Sequence, residues 1–276
     1  MSDLNRPLKD CTFVAFDLET SGAYPIGHDI VEFGAIKWHQ GQEVGRLQFL
    51  LKPRELMTDF IIGIHGITND MVEAAPNITD KISEIHEFVK DSIVMAHHAP
   101  FDLGFVTVDF ERARLPYPTE PALCTSLLSR KWIHGVENHK LQTLVKFLNI
   151  DGGTAHRAYD DAKACLEVGL ECFKRMGEDA TLEQAMTSQG KNLYWKDYAL
   201  LHSSPQSLGK MIAAVYAKRD IDMVYGSPTS KGEIRRVTPI GIVRNPDGDY
   251  LYAFCHREQS NKRYYLAKIK EVEEIY

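Results

Sequence analysis

No stretch of this chain approaches the roughly 20 consecutive apolar residues that a membrane-crossing helix needs, so no membrane span is expected. The opening residues, MSDLNRPLKD, have no apolar signal core, which makes export unexpected and the cytoplasm the expected compartment. Cysteine is scarce and odd in number. The five, at positions 11, 124, 165, 172 and 255, form no C-x-x-C pair, which argues against a disulfide framework and for reduced, packed thiols. Excess positive charge is also lacking. A net charge of −6 argues against a protein that coats nucleic acid by charge alone. Internal repeats and low-complexity tracts are absent too.

What is present is ordinary in bulk and uneven in distribution. At 276 residues, 44% hydrophobic and 25% charged, the chain has the size and composition of one large globular domain or two smaller ones. From Ser207 to Lys270 there are twelve Lys or Arg against six Asp or Glu, whereas residues 1–206 hold 20 basic and 29 acidic side chains. That division suggests two modules with different electrostatic tasks.

Residues 12–20, 29–38 and 43–51 read as strands, with Gly41 and Gln42 marking a hairpin turn. TDKISEIHEFVKD at 79–91 has apolar residues at helical spacing behind a Thr79 or Asp80 cap. SIVMAHHA reads as a strand, and Pro100 suits the first turn of a helix running to about Arg114. A short strand at 121–125 and helices at 125–132, 140–149 and 158–176 complete an α/β pattern with a mixed sheet. Residues 177–205 read as a connector with one or two short helices. A helix over 206–218 follows, then four strand-like runs near 220–226, 233–243, 249–257 and 262–269. Gly-Ser-Pro, Asn-Pro-Asp-Gly and Glu-Gln-Ser-Asn separate them, a pattern that points to a small β-barrel or sandwich.

The most informative residues are Asp17 and Glu19 in FVAFDLETSG. A strand turns alternate side chains to one face, so the two carboxylates project together from an apolar strand. Buried side by side they would repel and lose hydration, a cost that a multivalent cation removes. Asp102, in MAHHAPFDLGF, sits just inside a predicted helix start, where exposed amides favour a carboxylate. His156 precedes the last long helix in TAHRAYDDAKACLEV, and Asp161 can point from that helix's first turn toward the sheet. These elements can converge at one sheet edge. Hard oxygen ligands suit Mg²⁺ or Mn²⁺ rather than zinc. Two such ions can hold the attacking and leaving oxygens of an in-line phosphoryl displacement, and a neighbouring imidazole is suited to take the water's proton. The chemistry implied is phosphodiester hydrolysis.

With those motifs in hand, residues 10–176 resemble the DEDD superfamily of 3′→5′ exonucleases in its histidine-bearing branch, similar to bacterial replicative proofreading exonucleases. DLETSG at 17–22, HHAPFD at 97–102, HRAYDDA at 156–162, IHGITNDMV at 64–72 and NHKLQTL at 138–144 carry the resemblance. It implies a ribonuclease H-like mixed sheet flanked by helices, with two Mg²⁺ or Mn²⁺ ions held by Asp17, Glu19, Asp102 and Asp161. It also implies His156 as general base, and its spacing selects Asp161 over Asp160. Contacts of Thr20, Ser21, His65 and Gly66 with the 3′ end follow from the same likeness. His98 departs from it, since relatives usually carry Asn there, and a substrate-positioning role is expected for it.

Residues 220–269 resemble the WYL domain of bacterial regulators, a small SH3/Sm-like β-barrel. Tyr225, Arg235 with Pro239, Tyr250-Leu251, Leu266 and Ile269 carry that likeness, while Asp249 stands in place of the signature tryptophan. It implies ligand sensing or single-stranded nucleic-acid binding. Basic residues including Arg235, Arg236, Arg257 and Arg263 lie among tyrosines, as a phosphate-and-base track requires.

The chain thus reads as an exonuclease domain (1–176), a connector (177–205) and a WYL-like barrel domain (206–276). The expected function is metal-dependent 3′→5′ hydrolysis of nucleic-acid ends, with single-stranded DNA favoured. Trimming of RNA 3′ ends and a non-catalytic sensor are the alternatives. A polymerase or repair-complex partner is compatible with either a proofreading or a free-standing role.

Overall fold

A computed structural model describes residues 3–201, 206–226, 232–245 and 248–275. Strands β1 (Thr12–Thr20), β2 (Ile30–His39) and β3 (Gln42–Leu50) form an antiparallel meander. Gln40 and Gly41, both with positive φ (46° and 83°), turn the second hairpin, the backbone that matches the strand twist. Strands β4 (Ile93–Ala96) and β5 (Ala122–Cys124) run parallel to β1, giving the mixed order β3-β2-β1-β4-β5.

Helices cover both faces of this sheet. They are α1 (Asp59–His65), α2 (Asn69–Val72), α3 (Ile78–Val89), α4 (Pro100–Arg112), α5 (Thr125–Trp132), α6 (Leu141–Leu148) and α7 (Ala158–Met176). Alternation along β1 divides the core. Val14, Phe16 and Leu18 pack with α3 and α4, while Phe13 and Ala15 pack with α5 and α7. Asp17 and Glu19 continue the second register, so they lie on the α7 side.

Several expectations need revision. The strand expected over SIVMAHHA ends at Ala96, because residues 97–99 turn into α4. Helices α1 and α2 occupy a segment read only as a motif. Among the described residues the connector holds helix α8 (Leu182–Gln189) and a 3₁₀ turn (Trp195–Tyr198), and both pack onto the first core through Leu182, Ala185, Trp195 and Tyr198. Buried Gln189 accepts the Cys124 amide (2.8 Å) and donates to the Ala122 carbonyl (3.1 Å), covering the edge strand β5.

Helix α9 (Gln206–Ala217) leads into a second sheet of β6 (Ile221–Tyr225), β7 (Ile234–Val243), β8 (Tyr250–Cys255), β9 (Ser260–Tyr265) and β10 (Ile269–Glu274). It is antiparallel in the order β10-β6-β7-β8-β9, with no hydrogen-bonded closure between β9 and β10 among the described residues. Four strands were expected; the run at 262–269 is instead the end of β9, a 3₁₀ turn, and the start of a fifth strand. Ser-Ser-Pro at 203–205 and parts of the Gly-Ser-Pro and Asn-Pro-Asp-Gly signals lie outside the described residues.

The two sheets are joined through the loop between β1 and β2. Ile26 and Ile242 exchange backbone hydrogen bonds (3.4 and 3.1 Å), and Tyr24 stacks on Tyr252 with ring centres 5.0 Å apart. Ile26 and Val108 are fully buried in the second sheet's core. Tyr216 on α9 lies between Arg54 and Arg112 and hydrogen-bonds the latter. No helix among the described residues is long and apolar enough to cross a membrane, and all five cysteines are buried and free.

Candidate active site

The ends of the parallel strands build the site. Strand β4 pairs with β1 only as far as Ala15–Met95, so the backbone of Asp17 to Glu19 extends past its neighbour and leaves room for the start of α4. Asp102, in the first turn of α4 and 2% exposed, lies beside Leu18, the residue between Asp17 and Glu19. From the other side α7 brings Asp161, 6% exposed, against the same strand. Close approach at Gly34 on β2 permits this, since a Cβ there would lie 2.1 Å from the Tyr159 nitrogen.

Ligand atoms of Glu19, Asp161 and His156 all lie within 4.8 Å of one another. Asp161 accepts the Gln142 side-chain amide (2.9 Å) and the backbone amide of His156 (3.0 Å). Its neighbour Asp160 accepts the Thr154 amide (2.8 Å) instead. His156 is exposed and has left-handed backbone (φ 61°).

Electrostatically the cluster is unbalanced. Asp17 is held far above the usual carboxylate range, first by burial and then by repulsion from Asp102, Asp161 and Glu19. Burial chiefly pushes Glu19 up to about 8, with Asp161 and Glu32 adding to it and Arg157 opposing. Asp102 and Asp161 are raised mainly by burial as well. Acids so placed hold protons unless a cation takes their place. A clustered set of hard oxygen donors with one imidazole at its rim fits a divalent cation.

The remaining expected residues surround this cluster in different ways. The Thr20 hydroxyl donates to the Gly22 carbonyl (2.8 Å), and the Ser21 hydroxyl accepts the Asp29 amide (2.9 Å), so both brace the β1–β2 loop. His65 is buried, and burial lowers its pKa. Its Nδ1 accepts the Ile67 amide (3.0 Å), and the Thr20 backbone lies beside its ring. Gly66 caps α1 with φ 73°. His98 is exposed at φ 80° in the turn before α4. Asparagine adopts that backbone most readily among non-glycine residues.

The four C-terminal arginines do not enter this site. Arg235 pairs with Glu258 (2.7 Å), Arg236 with Asp222 (3.0 Å) and Arg257 with Glu233. Arg263 is exposed and sits over the Tyr250 ring at 5.1 Å.

Three polar residues of the site were not singled out from sequence. Glu32, 1% exposed and opposite Glu19 on β2, receives Arg157 through two nitrogens (3.1 and 2.8 Å). Gln142 braces Asp161. The signal for Glu32 was available, since it is the one charged residue in the apolar run IVEFGAI.

Comparison with known proteins bears on family and fold. A family profile described as exonuclease (RNase_T) matches residues 14–168, and one described as WYL domain matches residues 206–274. DNA polymerase III PolC-type of Halalkalibacterium halodurans is 35% identical over 180 residues, covering 65% of this chain and 12% of that protein. The corresponding protein of Oceanobacillus iheyensis is 35% identical over 218 residues, covering 70% of this chain and 15% of that protein. This chain therefore spans only about an eighth of the length of such relatives. Among solved structures, E. coli exonuclease I in complex with a dA16 oligonucleotide has TM-score 0.52 and 20% identity, covering 88% of this chain and 55% of that one. The nuclease domain of 3′hExo bound to rAMP has TM-score 0.52 and 18% identity, covering 63% of this chain and 96% of that one. At those identities the likeness speaks for the fold.

Proposed function

The chain belongs to the exonuclease family, and from that premise we propose that it is a metal-dependent 3′→5′ exonuclease releasing nucleoside monophosphates from DNA, single strands being favoured. One observation carries the reading: Glu19, Asp161 and His156 bring ligand atoms within 4.8 Å of one another, and half-buried Asp17 is repelled by Glu19, Asp161 and buried Asp102. On this reading those four residues hold two Mg²⁺ or Mn²⁺ ions, which supply Lewis-acid stabilisation of the in-line displacement. His156 accepts a proton from the attacking water, being exposed to solvent while its backbone is tied to Asp161. His65, Gly66, Thr20 and Ser21 border the terminal nucleotide, and His98 lies at the turn beside Asp102. DNA is favoured over RNA because relatives 35% identical over 180 and 218 residues are DNA polymerases.

The reading extends to organisation. An exonuclease domain at 1–176 is followed by a connector at 177–205 and a WYL-type module at 206–276, whose five-stranded sheet we read as a small SH3/Sm-like barrel. Nucleic-acid binding by that module is part of the proposal, as are a cytoplasmic setting and a polymerase or repair-complex partner.

The test is incubation of the full chain with matched, 5′-labelled DNA and RNA oligomers, with Mg²⁺ and with chelator. Shortening from the 3′ end in Mg²⁺ alone is the expected result, and an Asp17→Ala protein should lose at least about 10³ of it, as removal of an interaction made in the transition state does. Faster shortening of RNA would reassign the substrate. Binding without shortening would favour the sensor, and turnover by the Asp17→Ala protein would overturn the metal role.

A further inference from the structure

His156 reaches the site on a backbone that is uncommon for any residue with a Cβ. Its φ of 61° is left-handed, and such a conformation costs of order 1 kcal/mol and persists only where the surroundings over-determine it. One restraint is the bond from its own amide to Asp161 (3.0 Å). The others come from Glu32. Arg157, the next residue, donates to Glu32 through Nε (3.1 Å) and a terminal nitrogen (2.8 Å), the paired geometry that fixes orientation as well as distance. The backbone amide of Ala158 donates to the same carboxylate (3.1 Å). Gln48 on β3 donates to it from the other side (3.2 Å), so Glu32 is held by its own sheet while it holds the loop.

The location of Glu32 is costly. It is 1% exposed, stands directly opposite Glu19 in the β1–β2 register, and adds to the repulsion on both Glu19 and Asp17. An apolar residue would spare the strand that repulsion. Besides the single bond from Gln48, a carboxylate there gains what Arg157 and Ala158 give it, and both lie immediately after His156. We propose that Glu32 is the positioning residue of this site, acting through Arg157 and Ala158 to set the loop that presents the His156 imidazole. The inference rests on His156 being the base in the proposed exonuclease reaction.

The experiment is a double-mutant cycle in the full chain between Glu32→Gln and His156→Ala, read on a labelled oligomer under single-turnover conditions, together with the ¹⁵N-imidazole resonances of His156. Displacing a reacting group by about 1 Å costs on the order of 10² in rate, so E32Q alone should lower kcat by roughly 10- to 100-fold with KM within about twofold. In the H156A background the same substitution should cost less than about twofold. The His156 resonances should shift or broaden in E32Q with no substrate present, and Arg157→Lys should reproduce both effects should E32Q fold poorly. A full loss by E32Q in the H156A background would show Glu32 acting on the carboxylates instead, and unmoved His156 resonances in both variants would overturn the proposal. Wild-type turnover by H156A would remove the role of the base, leaving the resonances to decide whether Glu32 positions the loop.

Discussion

The first sheet buries charge without balancing it, whereas three of the four arginines singled out on the second are already paired with acids. Asp17, Glu19, Asp102 and Asp161 crowd together with their protonation pushed upward, and the cation of Arg157 is drawn to Glu32. Around the second sheet, Arg235, Arg236 and Arg257 each have an acidic partner. Composition alone ranks these regions the other way, as an acidic half and a basic half suited to phosphate. The difference teaches that a binding site is marked by charge the fold leaves uncompensated, because that deficit is what a ligand can relieve. Paired surface arginines contribute only about 0.2–1 kcal/mol each and present a neutral face.

Four interventions bear on this contrast. The largest effect is expected from Gly34→Ala, whose new methyl would collide with the Tyr159 and Ala158 backbone and push α7, with Asp161, off the sheet. It should cost several kcal/mol of stability and about 10² or more in turnover, as steric displacement of packed backbone does, checked by melting and by oligomer assay. Retained activity would mean that the acids do not need α7 so close.

Next is the pH dependence of the chelated protein. Glu19 titrates in the folded state at about 8, above its unfolded value, so the native state binds the extra proton. Stability is therefore fully present below pH of about 4 and is lost as pH rises through about 8. The melting temperature should fall by roughly 5–10 °C between pH 5 and 8.5, the change a few kcal/mol brings in a chain of this size. Mg²⁺ should abolish the fall, and a flat profile without metal would remove the imbalance itself.

A smaller effect is expected on the second sheet. Arg263→Ala should weaken single-stranded DNA binding several-fold and reduce the salt slope by about one, the signature of one phosphate contact. Arg236→Ala, whose charge Asp222 already neutralises, should change binding less than about twofold. Equal effects would show that pairing does not silence an arginine here. The smallest is His98→Asn, which eases a left-handed backbone and should raise stability by about 0.5 kcal/mol in thermal melts.

Much of the site was legible because its chemistry is tied to period and cap. Asp17 and Glu19 share a face by strand alternation, and Asp102 and Asp161 occupy first turns of helices that the sequence marks with Pro100 and with the apolar run after Ala158. Glu32 and Arg157 were not legible as a pair, since 125 residues separate them and only the fold brings them together. Helix α1 escaped because DFIIGIH has no polar face to contrast with its apolar one, and Phe60 and Ile64 in fact stay exposed. Strand β10 escaped for the opposite reason. In IKEVEE Val272 is the one buried residue, and the strand's partner is β6, across the sheet rather than next in sequence.

The isoleucine at 26, seven residues beyond Glu19, is as much a part of the second core as any strand residue there. Cutting the chain ahead of α9 would strip that side chain and Val108 of their cover and set loose the segment that leaves the acid-bearing strand. The nuclease half, so trimmed, would have an oily wound beside its working edge.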